Sequence, residues 1–167
     1  MPKKGSAIWR ISYDTSLAIG SFLNAVNLPR QDLVLCVTPP TQLAISCAAL
    51  ARAWDAPLVL LVKDLPIDAA KAVGLLKSTL VIKLGRMLER LAYRLADRII
   101  VISPGFYRNL VRQGVPGDRI VEIGDWVDIE SVSPLPPDRA MRDLLGAGQN
   151  DFLVVHTGNM GEKQGLI

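Results

Sequence analysis

Histidine is almost missing from this chain: His156 is the only one, set in an apolar run with no second ligand or serine partner. A zinc centre or a serine–histidine couple needs more than that, so His156 reads as core or hydrogen-bonded filler. Cysteine is nearly as scarce. Cys36 and Cys47 lie inside apolar runs without the paired short spacing of a metal site or a redox couple. They read as reduced core residues, which points to a reducing compartment. The three Phe, three Tyr and three Trp are scattered, so no platform exists on which bases would stack. Charge of one sign is also lacking: 19 Lys and Arg are interspersed with 16 Asp and Glu and leave only +3. Nucleic acid is not expected as a partner.

Long apolar runs are absent too. None approaches the ~18 uninterrupted residues of a membrane span, because Pro39-Pro40 and Gln42 split the longest one. Lys3 and Lys4 imitate the start of a signal peptide, but Asp14, Gly20 and Asn24 break the stretch that follows. No cleaved signal is expected, and the chain is expected in the cytoplasm with any membrane contact peripheral. No group of carboxylates stands out with ligand spacing, so neither a metal nor another cofactor is expected. What the chain does have is apolar content: 50% hydrophobic against 21% charged over 167 residues, enough to bury a core.

Residues 15–28 place apolar side chains at helical spacing and close at Pro29. A short apolar strand over 32–38 stops at Pro39-Pro40, an Ala-rich helix follows over 42–54, and 57–62 repeats the buried-strand pattern. The longest helical pattern covers 77–96. There Leu80, Leu84, Leu88, Leu91 and Leu95 share one face, with Lys83, Arg86, Arg90 and Arg94 as a basic flank. A strand over 98–102 leads into Ser103-Pro104, an N-cap with proline at the first helical position. The helix over 106–113 ends at Gly114, and 119–123 is a further strand. Strands alternating with helices, three of them unbroken apolar runs, predict an α/β fold with a doubly wound, Rossmann-like parallel sheet covered on both faces.

The texture then changes. Residues 131–137 are proline-rich, a composition typical of a domain boundary. A short helix over 138–145 and a strand over 151–157 run into the glycine-containing loop 158–165. A strand feeding such a loop at a helix start is an anion-binding arrangement, since free backbone N–H groups and the helix dipole face it. One strand and one loop cannot bury a core, so this second domain reads as incomplete.

The order of these features resembles glycosyltransferase family 4, and within it the colanic-acid type of exopolysaccharide transferase. The features are a strand with Pro39-Pro40, a strand with Lys63-Asp64, Ile99-Ile-Val-Ile-Ser103, the Gly114-Val-Pro116 turn, Gly124-Asp-Trp-Val-Asp128 and Gly158-Asn-Met-Gly161. The resemblance runs from about residue 32 to the end and rests on order and spacing. It implies a partial GT-B protein. Residues 1–128 would be the back of the acceptor-side domain, 129–137 a linker, and 138–167 the opening of the donor domain, with truncation at both ends. The implied reaction moves a sugar from a nucleotide diphosphate sugar to the hydroxyl of a glycan or lipid-linked acceptor, with retention. This piece alone is expected to be inactive.

By the same resemblance the loop holding the donor diphosphate maps onto Gly158, Asn159, Gly161, Lys163 and Gln164. Asn159 stands where the family commonly has arginine, Gln164 where it has lysine, and Lys163 is displaced by one. Lys163 is left between phosphate contact and a solvated loop. Thr38, Pro39, Lys63 and Asp64 lie at the carboxyl ends of strands, where open parallel sheets bind ligands, and are the candidate acceptor cleft. Asp64 is the one weak catalytic candidate, with a helix cap before Pro66 as the favoured alternative. Leu61 occupies the place of a histidine common in the family. Trp126 reads as packed ahead of the hinge. The basic flank Lys83, Arg86, Arg90 and Arg94 reads as a solvated face, or as a patch for anionic lipid at the inner face of the membrane. Two rivals stay open: a non-catalytic α/β binding module, and a sugar-nucleotide epimerase of the same architecture.

Overall fold

The computed structural model describes residues 7–74, 78–134, 136, 139–148, 150–158 and 160. The chain divides into two compact units, Met1–Gly124 and Asp125–Ile167.

Among the described residues the first unit holds strands β1 (Val34–Thr38), β2 (Leu58–Val62), β3 (Arg98–Val101) and β4 (Ile120–Glu122). Its helices are α1 (Ala7–Ala25), α2 (Gln42–Trp54), α3 (Pro66–Ala72), α4 (Thr79–Leu95) and α5 (Pro104–Arg112). The strands are runs of β-branched and aliphatic residues, such as Leu58-Val-Leu-Leu-Val62, which fit a pleated buried surface. All are parallel and lie side by side in sequence order, β1-β2-β3-β4. This is the α/β Rossmann-like sheet that the sequence predicts.

Cys36, Leu60, Ile99 and Ile120 align as one row across the four strands. The row is buried against Ala44, Ala48 and Ala51 of α2, Ala92 and Tyr93 of α4, and Leu110 of α5. The alanines let the helices approach the sheet closely, and this interlayer is the core. Cys36 and Cys47 are both free thiols. The hydrogen bond between them, and then burial, hold the Cys36 thiol above its ordinary range.

Among the described residues the cover expected on both faces of the sheet is found on one. A strand order that advances in a single direction through right-handed crossovers sets α2, α4 and α5 on the same side. The alternate residues point the other way, and Leu35, Val37, Val121 and Ile123 remain 44–55% exposed. Helix α1 packs chiefly on α2.

Helix α4 also departs from its leucine pattern. Leu80, Leu84 and Leu91 are exposed, while Glu89, Ala92 and Tyr93 are buried. Ala92 lets the helix come close to the sheet with Tyr93 beside it, and the buried acid is matched by Arg86, whose guanidinium pairs with Glu89 at 2.8 Å and with Asp68 of α3. Arg86 is therefore withdrawn from the basic flank. Asn109 of α5 also donates to Asp68, at 3.1 Å, so one polar network ties α3, α4 and α5 together. Gly85 faces Ile67 of α3 so closely that a Cβ there would collide with it.

Caps behave as expected at α5. Ser103 Oγ accepts the Phe106 N–H at 3.3 Å, Pro104 opens the helix, and Gly114 takes φ +90° beyond its end. Asp97, between α4 and β3, accepts the Leu58 N–H at 2.7 Å and so fixes the start of β2.

In the second unit, α6 (Arg139–Leu144) is followed by a turn in which Arg142 donates to the carbonyls of Gly148 and Asp151 at 2.7 and 2.6 Å. The strand expected over 151–157 does not form. A strand exists only by pairing, and no described segment pairs with these residues. Phe152 and Val154 are consequently 95% and 80% exposed, and His156 lies at the surface instead of in a core. Trp126, expected to be packed, is 86% exposed. Among the described residues no helix is long and apolar enough to cross a membrane.

Candidate functional site at the carboxyl edge of the sheet

Parallel strands that share one direction deliver all their carboxyl ends to one edge, and the loops leaving that edge carry this unit's polar candidates. Thr38 is paired with Val62, and Val62 with Val101, so Pro39, Lys63 and Ile102 follow at equivalent heights. The Lys63 N–H donates to the Thr38 carbonyl at 3.0 Å, which carries the ladder one residue beyond the strands and holds the two loops together.

Three of the four cleft candidates are presented there and one is not. Thr38 is only 6% exposed and its Oγ1 donates to the Leu61 carbonyl at 3.4 Å, so its side chain secures β1 to β2. Pro39 is exposed, between two cis peptide bonds at Thr38–Pro39 and Pro39–Pro40. Lys63 is exposed and Asp64 half-buried. Asp64 does not occupy the cap position of α3: that is Leu65, whose N–H donates to Asp64 Oδ1 at 2.8 Å. The carboxylate thus stands one residue ahead of the cap and two ahead of the helix, at the carboxyl edge.

Helix α3 lies outside the elements expected from the sequence, although Pro66 at its first position and Asp68 in its first turn are signals for it. An Asp-x-Glu pair, Asp128 and Glu130, is likewise unexpected. Asp128 Oδ1 accepts the N–H groups of Glu130 at 3.0 Å and Ser131 at 3.4 Å, and these bonds hold its carboxyl below the usual carboxylate range. Among the described residues no three His, Cys, Asp or Glu side chains gather as a metal site would require. Of the diphosphate-loop candidates, Gly158 has φ +146°, a conformation that side-chain-bearing residues rarely adopt. Asn159, Gly161, Lys163 and Gln164 lie outside the described residues.

A parallel Rossmann-like sheet that gathers polar loops at its carboxyl edge has the architecture on which many α/β enzymes are built. A family model described as Glycosyl transferase 4-like domain matches residues 7–126, the span of this sheet and its helices. The chain belongs to that family. WcaI of Escherichia coli (strain K12), a glycosyl transferase named for colanic acid biosynthesis, is 29% identical over 174 residues. That alignment takes in 99% of this chain and 42% of the relative. WbjE of Pseudomonas aeruginosa, named as a glycosyltransferase, is 30% identical over 152 residues, or 87% of this chain and 38% of its own. An alpha-galactosylglucosyldiacylglycerol synthase of Streptococcus pneumoniae is 30% identical over 76 residues, or 44% of this chain and 20% of its own. The chain spans less than half the length of the relatives it matches.

Proposed function

We propose that this chain is the acceptor-side part of a sugar transferase, which moves a glycosyl group from a nucleotide diphosphate sugar to an acceptor hydroxyl with retention of configuration. The observation that carries the reading is the family match over 7–126, laid on a sheet that brings Pro39, Lys63 and Asp64 to its carboxyl edge, the edge at which open parallel sheets commonly bind ligands. Lys63 and Asp64 would orient the acceptor hydroxyl, and the catalytic gain would come from positioning and from stabilising the departing diphosphate. The second unit would open the donor-binding domain after a linker at 129–137, with Gly158, Asn159, Gly161, Lys163 and Gln164 beside the diphosphate. Without an arginine at 159, charge on that diphosphate falls to Lys163 and to backbone N–H groups. The reading assigns no metal or other cofactor to the transfer.

The names of the relatives support the choice of acceptor: one is named for an exopolysaccharide and another for a diacylglycerol glycolipid. A glycan or lipid-linked sugar handled at the cytoplasmic face of the membrane fits both. The test is in two parts. Backbone amide shifts of the 167-residue chain are followed while lipid-linked sugars are titrated, and those of Lys63 and Asp64 are expected to move. A polypeptide of the relatives' length carrying this segment is then assayed for nucleoside diphosphate release, where Asp64→Asn should lower kcat/KM for acceptor more than for donor. If no donor is turned over, or if acceptors leave the carboxyl edge unperturbed, the reading fails in favour of a binding module.

A further inference from the structure

Three surfaces of the first unit leave large apolar side chains in solvent: helix α1, the uncovered sheet face, and the outward side of α4. Only the last is bordered by a stripe of positive charge among the described residues. Leu80, Leu84, Met87 and Leu91 succeed one another at steps of four, three and four residues and are 66%, 53%, 65% and 42% exposed. They form a continuous stripe along the helix. Lys83, Arg90 and Arg94, all exposed, form a second stripe beside it, and the single acid of α4, Glu89, is buried on the opposite side.

At the carboxyl end of α4 the basic stripe meets a cavity of about 190 Å³ bounded by Arg90, Tyr93, Arg94, Gln113, Pro116 and Arg119. No acidic residue lines it among the described residues. Arg119 donates to the carbonyls of Tyr93 and Ala96, so its charge is held in place at the end of the helix. Three guanidinium groups around a space of this size suit a phosphate ester, whose oxygens take paired N–H donors. The cavity lies beside the start of β4, at the amino edge of the sheet, on the far side from Lys63 and Asp64.

We propose that the outward face of α4 docks on an anionic bilayer, with the Leu80–Leu84–Met87–Leu91 stripe in the acyl boundary and one lipid phosphate seated among Arg90, Arg94 and Arg119. The match is one of charge and depth: apolar side chains beside a row of cations, with no acid between them, is the pattern of a helix lying in a membrane interface. The inference deepens the membrane part of the reading above. The lipid bound here is a support and not the acceptor, since the cavity and the transfer edge are at opposite ends of the strands.

The experiment is co-sedimentation of the whole 167-residue chain with vesicles of phosphatidylcholine alone, or of phosphatidylcholine and phosphatidylglycerol in equal parts. Binding is expected only with the second, and should weaken as salt rises. Arg90→Gln with Arg94→Gln should lower the partition coefficient about 25-fold, the effect of two basic residues at a membrane surface. Leu84→Gln with Met87→Gln should weaken binding while leaving the salt dependence intact, and Arg52→Gln on α2 should bind as the parent does. All these positions are exposed, so the variants retain the fold, which far-UV circular dichroism checks. Equal binding to both vesicles, or no loss in the double arginine variant, overturns the proposal. So does binding of inorganic phosphate at the arginines without any binding to vesicles, which would make the cavity a site for a soluble anion. No nucleotide sugar is present, so failure here is distinct from failure of the transferase reading, which has its own assay.

Discussion

Replacing Arg86 by alanine asks whether the buried carboxylate of Glu89 is charged. Glu89 is 3% exposed and takes its hydrogen bond from Arg86 at 2.8 Å, whereas the second partner of Arg86, Asp68, keeps 32% of its side-chain surface. Once Arg86 is gone Asp68 can turn to water and Glu89 cannot. Breaking a buried ion pair typically costs ~3–5 kcal/mol. Glu89 has an escape, however, because it can take up a proton. That limits its share of the loss to the cost of protonating a carboxyl whose ordinary value is 4.5. The limit is about 2.5 pH units, or ~3.4 kcal/mol, at pH 7 and ~0.7 kcal/mol at pH 5.

The sign follows from burial. Burial raises the titration of Glu89 above its unfolded value, and Arg86 opposes that rise. The contribution of this group to stability is therefore complete below pH 4.5 and is lost as the pH climbs through the folded value. Arg86→Ala enlarges that loss. Urea unfolding followed by circular dichroism should show a destabilisation of ~3 kcal/mol at pH 7 that shrinks to about 1 kcal/mol at pH 5. Arg86→Met combined with Glu89→Leu should regain most of it, since apolar residues leave no charge to solvate. An equal loss at both pH values, or a double variant no better than the single one, would refute the argument.

Leu110, with no exposed surface in the core over β3 and β4, should lose ~2–5 kcal/mol on substitution by alanine, read as a lower urea midpoint. Ser103→Ala removes the oxygen that accepts the Phe106 N–H and should cost ~1 kcal/mol, while Ser103→Asp should keep most of the stability. Gly114→Ala places a side chain at φ +90° with open space around it, so the ~1 kcal/mol loss expected in thermal unfolding comes from backbone conformation and not from a clash.

The sheet was legible because its strands are apolar runs fenced by proline and aspartate, and α2 was placed at its observed bounds from its alanine content alone. Asp55, in the left-handed conformation at φ +51°, ends that helix where the sequence turns. Other parts were hidden for identifiable reasons. The inward side of α4 carries alanine, tyrosine and a paired glutamate, so hydrophobic periodicity selects the wrong face. Arg86 looks like one more surface cation until Asp68, eighteen residues away, is seen beside it. Lys63 and Asp64 follow the carboxyl end of β2 as the strand pattern predicts, but nothing local distinguishes a Thr38 hydroxyl that points outward from one that bonds the neighbouring strand. Residues 151–157 have the composition of a strand, yet pairing is a property of two segments and cannot be read from one.

The one-way strand order has a kinetic meaning. Among the described strands, β2, β3 and β4 each pair with the one made just before, so none of these three has to enter between two already in place. The ladders close over α2, over α3 with α4, and over α5, helical segments whose own contacts are local and can form before the strands they join are paired. As the chain leaves the ribosome, each new strand–helix unit meets a finished edge and extends it. Order of synthesis and order of assembly thus coincide in this part of the molecule.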